Sequence, residues 1–390
     1  MDSKSTILAI TVTWLGACGG STTPTDVADT GADLGTTDTS DAPSSSEITC
    51  DGSKLLAVPT DTSQRGPWPV GAKTVTLAGL VTEVWYPAVV GSDAGKTKLQ
   101  YDIRKHLPPA DAAKIPDADN PLQACDCTAD LPMDAAHGPY PLVLFIHGTA
   151  AFRTQSASQA THWASRGFVV VAADHPGIGL QDILAGSFGG KQTENANALL
   201  DALATPSGEV AFLAGRLAPG KIAVSGHSAG GGALSGLGGR AKVLIPMAAR
   251  GVSAGATLVS TLILGGQDDG VARYTGQQGG FDGSPKKKRL VGLANAGHLA
   301  FSDLCAIQKG GKGILQIAVD HGITVNPLIS TLSQDGCKPG QLAPEKGWKV
   351  VDAATSAVLE ETLACSTTAA AQLTALKATY ADVGEYKEEF

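Results

Sequence analysis

The sequence predicts an α/β fold with a mostly parallel central sheet and helices on both faces. Three observations carry that expectation. Largely apolar runs of strand length recur at 142–146, 168–173, 221–224, 241–247, 258–264 and 289–293. Strands without polar alternation are those buried on both faces of a parallel sheet. Helical patterns intervene, as at 156–165, and strands alternating with helices imply parallel pairing with helices packed on both faces. The polar residues of chemical interest follow the ends of these runs, where open parallel sheets place their ligand sites.

The elements follow in chain order. Residues 1–18 read as an export signal: Lys4, an apolar run over 7–15, then Leu15-Gly16-Ala17-Cys18. The run is shorter than the ~20 apolar residues a bilayer span needs. Leu-Gly-Ala-Cys resembles the bacterial lipobox, which implies that Cys18 is the acylated residue, with ordinary secretion as the alternative. The expected location is therefore outside the cytoplasm, in a bacterial cell envelope as a lipoprotein or free after secretion. Residues 19–49 are Gly, Ser, Thr, Asp and Pro with few apolar side chains, too little buried surface to offset chain entropy, and read as a tether. The folded domain is expected over 50–390. Its first strands lie near Lys73 and over 80–86, ending at Pro87; residues 91–138 read as a surface excursion. Residues 305–390 form a C-terminal extension, loop-rich to about 347 and then helical to Leu376, expected to pack on the sheet.

Composition narrows the function. The chain has 390 residues, 43% of them hydrophobic, and a net charge of −8, which gives no electrostatic footprint for nucleic acid. The basic run Lys286-Lys287-Lys288-Arg289 is expected to be a solvated loop. Of seven cysteines, six remain beyond Cys18: Cys50, Cys125, Cys127, Cys305, Cys337 and Cys365. An even set in an exported chain favours disulfides. Cys305 with Cys337 is the expected pair, and Cys125 and Cys127 are expected to bond to two other partners. A zinc site lacks a second Cys/His pair at ligand spacing.

Gly226-His227-Ser228-Ala229-Gly230 follows one of the predicted strands and opens a small-residue helix. Glycines two residues either side of a serine let strand and helix pass closely at a sharp turn, which lifts the hydroxyl above the sheet. Ser228 is the candidate nucleophile, and the amide of Ala229 can face a developing oxyanion. The base is expected at His298, after the last predicted strand and C-terminal to the serine and the acid. His147 and His227 belong to turn motifs, His175 reads as structural, and His106, His137, His162 and His321 have no supporting context. Asp269 is the preferred orienting acid, with adjacent Asp268 as the alternative; neighbouring side chains diverge, so one alone reaches the imidazole. The second oxyanion donor is expected in the turn after His147-Gly148: the amide of Thr149 is preferred, with that of Ala150 as the alternative.

Gly226 to Gly230 in this strand–turn–helix context marks the α/β-hydrolase fold. Phe145 to Thr154, Ala164 to Ala172, the elbow through Gly231, His298 to Asp303 and Val84-Trp85-Tyr86-Pro87 together resemble the secreted platelet-activating-factor acetylhydrolases. The resemblance spans roughly residues 75–305. It implies the fold and the Ser-His-Asp type of chemistry, but not the substrate preference. In that family the aspartate follows the strand after the elbow; here that strand leads to Met247-Ala248-Ala249. The segment from Gly265 to Ala272 is instead similar to bacterial polyester hydrolases and dienelactone-hydrolase relatives.

The expected reaction is hydrolysis of a small-molecule or lipid-like carboxylic ester through an acyl-enzyme on Ser228, with no cofactor or metal required. An amide, thioester or polyester bond is the rival within enzymes, and a silent surface-binding lipoprotein the rival outside them. Dehalogenase chemistry is disfavoured because those enzymes carry Asp where Ser228 stands. Membrane contact is expected only through the lipid anchor, with no nucleic acid and no obligatory protein partner. The loop 177–192 and the excursion 91–138 are expected to shape the pocket.

Overall fold

A computed structural model describes residues 47–390. The export signal, Cys18 and the tether as far as residue 46 lie outside the described residues. The tether reading ends sooner than expected, because Glu47–Cys50 already pairs with Ser53–Leu56 as a small antiparallel hairpin.

One ten-stranded sheet organises the chain. In chain order its strands are β1 (Val70–Leu77), β2 (Leu80–Pro87), β3 (Thr128–Ala129), β4 (Tyr140–Ile146), β5 (Val169–Ala173), β6 (Leu217–His227), β7 (Val243–Met247), β8 (Ser260–Gly266), β9 (Lys288–Leu293) and β10 (Val383–Glu389). Across the sheet the order is β10-β9-β8-β7-β6-β4-β5-β2-β1-β3. The six strands from β9 to β5 run parallel. β10 closes one edge antiparallel to β9, and the β1–β2 hairpin extends the other. The fold expectation is met: every position of β4, β5, β7, β8 and β9 is buried, as the apolar runs of β4, β5 and β7 require. The chain leaves β4 toward β5 on one side and returns through β6 on the other. The crevice beyond the carboxyl ends of β4 and β6 is therefore the switch point where such sheets bind ligands.

Helices cover both faces. They are α1 (Ala157–Ser165), α2 (Gln192–Ala204), α3 (Ala229–Ala233), α4 (Tyr274–Gly283), α5 (Pro344–Leu363) and α6 (Ala369–Thr379). Alternation along β4 sorts the core: Val143 and Phe145 join Trp163 of α1 and Val350, Ala354 and Val358 of α5 on one face. Leu142 and Leu144 join Leu199 and Leu203 of α2 on the other. The end of α1 is tied to α5 by a buried ion pair, Arg166 Nε to Glu360 Oε1 at 2.5 Å.

Four expectations need correction. Residues 91–138 are more than a surface excursion: they contribute β3 to the sheet and bury Tyr101, Ile103, Leu107, Cys125 and Cys127. Cys125 and Cys127 bond to each other, and Cys50 bonds to Cys365. The Leu99 amide donates to the Cys127 carbonyl while the Cys125 amide donates to the Leu99 carbonyl. The two cysteines thus bend round one residue with both side chains buried and Asp126 turned outward. Cys305 and Cys337 pair as expected. The basic run is only partly solvated, since Lys288 and Arg289 enter β9 and Arg289 is buried against Glu361. Residues 305–347, read as loop-rich, carry two short helices, Ile314–Asp320 and Pro327–Leu332.

A satellite cluster gathers Ile103, Leu107, Phe152, Leu180, Ile307 and Ile317. It joins the 91–138 segment, the loop after β5 and the C-terminal extension beside the turn after β4. Among the described residues no helix is long and apolar enough to cross a membrane.

Candidate active site

Ser228 follows β6, which is buried over Ala223–His227, and caps α3 with φ +55° and ψ −117°, a backbone state costly for any residue but glycine and persisting only where its surroundings dictate it. They do so here. A Cβ on Gly226 would sit 2.6 Å from the carbonyl oxygen of Gly230, and one on Gly230 would sit 2.1 Å from that of Ile146. Both flanking positions therefore require glycine for close backbone approach. The Ser228 amide donates to the Met247 carbonyl at 2.9 Å, which fixes the turn to the end of β7 and leaves the side chain half-buried above the sheet.

His298 opens a short 3-10 turn after β9. Its Nε2 lies 2.8 Å from Ser228 Oγ and its Nδ1 lies 2.9 Å from Asp269 Oδ2. Asp269 is buried, whereas Asp268 is exposed. The Asp269 Oδ1 accepts the amides of Val271 at 2.9 Å and Ala272 at 2.7 Å, and Oδ2 also accepts Gln277 Nε2 at 3.1 Å. Four donors thus converge on one carboxylate and hold it in a single orientation. The arrangement brings together Ser228, His298 and Asp269 and leaves Asp268 out.

The turn after β4 distinguishes the two oxyanion candidates. The Ala150 amide is already spent on the Ile178 carbonyl at 2.8 Å. Among the described residues nothing accepts from the Thr149 amide. Ala229 is the first residue of α3, so its amide has no partner one turn back. Thr149 and Ala229 are the two amides left available.

Buried histidines brace these turns. His147 Nε2 accepts the His175 amide at 2.9 Å, so its Nδ1 carries the proton donated to the Gly148 carbonyl at 2.8 Å. Burial pushes the His147 imidazole down, consistent with this neutral form. Gln155 Oε1 accepts the Gly148 amide at 2.8 Å, Gln155 Nε2 donates to His227 Nδ1 at 2.7 Å, and His227 Nε2 donates to the His298 carbonyl at 2.9 Å. Burial, reinforced by neighbouring His298, pushes the His227 imidazole down to about 3. It stays neutral and can both accept and donate. One chain of hydrogen bonds therefore links the turn after β4, the elbow and the His298 turn. Arg153 lies just beyond the turn after β4 and pairs with Asp174 Oδ2 at 2.6 Å. Burial raises the Asp174 carboxyl, but the charge of Arg153 and the hydrogen bond from the Arg153 amide oppose it, and the carboxyl is held below the usual range.

Gln155, Gln277, Arg153 and Asp174 carried no sequence signal. Each acts through a contact set by the sheet rather than by local spacing. His175, read as structural, donates its backbone amide to His147 Nε2 and keeps its ring buried.

Residues 121–177, from the approach to β4 through the end of β5, match the family model of platelet-activating factor acetylhydrolase, isoform II. The resemblance read from the sequence therefore recurs in the segment that carries the turn after β4. In three dimensions the chain is similar to a ferulic acid esterase from Streptomyces cinnamoneus, at 17% identity and a TM-score of 0.53, over 80% of this chain and 93% of that one. That likeness shows the fold, which is the α/β-hydrolase fold. No curated protein is similar to the chain at a significant level.

Proposed function

We propose that the chain is a serine hydrolase of carboxylic esters. One observation carries the reading: the Ser228 hydroxyl, the His298 imidazole and the Asp269 carboxylate in line at 2.8 and 2.9 Å, beside two available backbone amides. The family match over 121–177 supports the ester as the bond attacked.

In this mechanism Ser228 Oγ attacks the ester carbonyl as its proton passes to His298 Nε2. Asp269 receives the Nδ1 proton in a hydrogen bond, fixes the tautomer and stabilises the cation that forms. The amides of Thr149 and Ala229 receive the charge that builds on the carbonyl oxygen. Collapse expels the alcohol, which takes the proton from His298. Water, deprotonated by the same nitrogen, then releases the acid from the acyl-enzyme. A small-molecule or lipid-like ester is the proposed substrate class. Three disulfides belong to an oxidising compartment, and we place the enzyme outside the cytoplasm, tethered through acylated Cys18.

The test is initial-rate hydrolysis of p-nitrophenyl acetate, butyrate and octanoate by the wild type beside Ser228→Ala. Saturable hydrolysis lost in the variant is the expected result, and the ratio across the three acyl chains gives the pocket length. Equal rates from both proteins on every ester would discard the assignment.

A further inference from the structure

Asp335 lies outside the proposed relay and yet touches both of its arms. It belongs to the C-terminal extension, far in sequence from either, and is buried. Its Oδ2 accepts the Gly270 amide at 2.7 Å, and its main-chain carbonyl accepts the Leu299 amide at 2.8 Å. Gly270 directly follows Asp269, and Leu299 directly follows His298. One residue therefore spans the turn bearing the acid and the turn bearing the base.

The segment around Asp335 is built to sit there. A Cβ on Gly297 would lie 2.4 Å from Asp335 Oδ1, and one on Gly336, which has φ +110°, would lie 2.6 Å from the Leu299 amide nitrogen. The two backbones approach as closely as glycine allows. Gln341 Oε1 accepts the amides of Gly336 at 2.8 Å and Lys338 at 3.1 Å, closing the turn on itself. The Leu342 amide donates to the Asn295 carbonyl at 2.7 Å. Two residues after Asp335, Cys337 is bonded to Cys305, just past the His298 turn.

We propose that Asp335 is a positioning residue for the hydrolytic site, delivered by a strap over 335–342 that the Cys305–Cys337 disulfide fastens beside His298. This rests on the serine-hydrolase reading above. The Asp269 carboxylate pins its own turn only at Val271 and Ala272; Asp335 pins the peptide between them and the acid. Without it the Gly270 amide loses its partner and the acid turn loses its tie to the base turn. Misplacement of reacting groups by about 1 Å costs up to ~100-fold in rate.

The experiment compares wild type, Asp335→Ala, Asp335→Asn and the double variant Cys305→Ser/Cys337→Ser. Hydrolysis of p-nitrophenyl butyrate is normalised to the sites titrated by diethyl p-nitrophenyl phosphate. The expected results are a kcat for Asp335→Ala lower by 10- to 100-fold, KM within threefold of wild type, and recovery of most activity in Asp335→Asn, which keeps an oxygen for the Gly270 amide. The double serine variant releases the strap without touching Asp335, and a kcat at least threefold lower is expected. Unchanged kcat per titrated site in Asp335→Ala overturns the proposal while leaving the hydrolase assignment in place. Should Asp335→Ala fail to fold, unchanged kcat in the double serine variant overturns it equally. A wild type that hydrolyses no ester and is not phosphorylated removes both readings together.

Discussion

Replacing Asp269 by Asn tests the orientation of the proposed site with almost no change of shape. The carboxylate receives four donors: two backbone amides on Oδ1, and His298 Nδ1 with Gln277 Nε2 on Oδ2. Asparagine offers one oxygen. The Val271 and Ala272 amides cannot rotate, and leaving each unpaired costs about 1–3 kcal/mol, so the oxygen stays with them. The new NH2 then faces His298. The ring must accept at Nδ1 and carry its proton on Nε2, the atom beside Ser228 Oγ, and can no longer take the serine proton. A wrong-tautomer base of this kind lowers kcat about 10⁴-fold, equivalent to ~5.5 kcal/mol of barrier. Asp268→Asn, on an exposed neighbour, is the matched control and is expected within twofold of wild type. Steady-state hydrolysis of p-nitrophenyl butyrate near neutral pH, with circular dichroism to verify folding, reads both. Asp269→Asn retaining more than a tenth of kcat, or Asp268→Asn collapsing, would refute the reasoning.

Other perturbations separate packing, covalent and protonic contributions. Gly230→Ala drives a methyl into the Ile146 and His147 carbonyls and is expected to cost about 1–3 kcal/mol or more. Gly232→Ala, in the same helix with open space around it, is expected to stabilise by up to ~1 kcal/mol; urea melts giving the two the same sign would contradict the close-approach argument. Removing the Cys50–Cys365 bond, with a sequence separation of 315, is expected to cost roughly 6 kcal/mol by loop entropy, and removing Cys125–Cys127 under about 2 kcal/mol. Comparable losses in paired serine variants would overturn that ordering. Burial pushes the Asp303 carboxyl up to about 6, against hydrogen bonds from Ser158 and Gln123. The folded state therefore binds a proton more tightly than the unfolded chain. This group's contribution to stability is full below the unfolded value and lost as pH rises through about 6. Asp303→Asn is expected to flatten that part of the stability profile, and parallel wild-type and variant curves between pH 4 and 7 would reject the assignment.

The sequence made the parallel centre of the fold legible because burial on both faces writes itself as unbroken apolar runs: 142–146 and 168–173 fall within or beside β4 and β5. It hid β10, whose Glu385, Lys387, Glu388 and Glu389 look like a solvated tail. Glu385 and Lys387 pair with each other along the strand, but Glu388 and Glu389 find partners only once β10 lies against β9, where Glu389 meets Lys288 and Glu388 meets Arg289. The basic run was misread for the same reason, since its counter-charges are distant in the chain. Within the candidate site, local motifs identified Ser228, His298 and the Asp268–Asp269 pair. Which aspartate turns inward depends on Gln277 and on the amides of the following turn. In the turn after β4 local pattern favours Thr149 over Ala150 without excluding the latter, and the Ile178 carbonyl occupies the Ala150 amide.

The proposed position of the acid has a structural cause. In the acetylhydrolases that the chain resembles, the aspartate follows the strand after the elbow. Here that strand is β7, and the residues beyond it hold the elbow itself. The Met247 carbonyl accepts the Ser228 amide, the Ala248 amide donates to the Leu264 carbonyl, and a Cβ on Gly231 would sit 2.6 Å from Ala249 Cβ. A carboxylate side chain at 249 would have to enter the space that α3 needs to pass. One strand further out, β8 ends in Gly265 and Gly266, where added Cβ atoms would strike Gln277 and the Ala296 carbonyl. Those glycines let Gln277 and the His298 turn close over Asp269. With the proposed acid after β8, the crowded end of β7 is left to the elbow, while Gln277 of α4 donates to Asp269 and Asp335 accepts the amide of the following residue, Gly270.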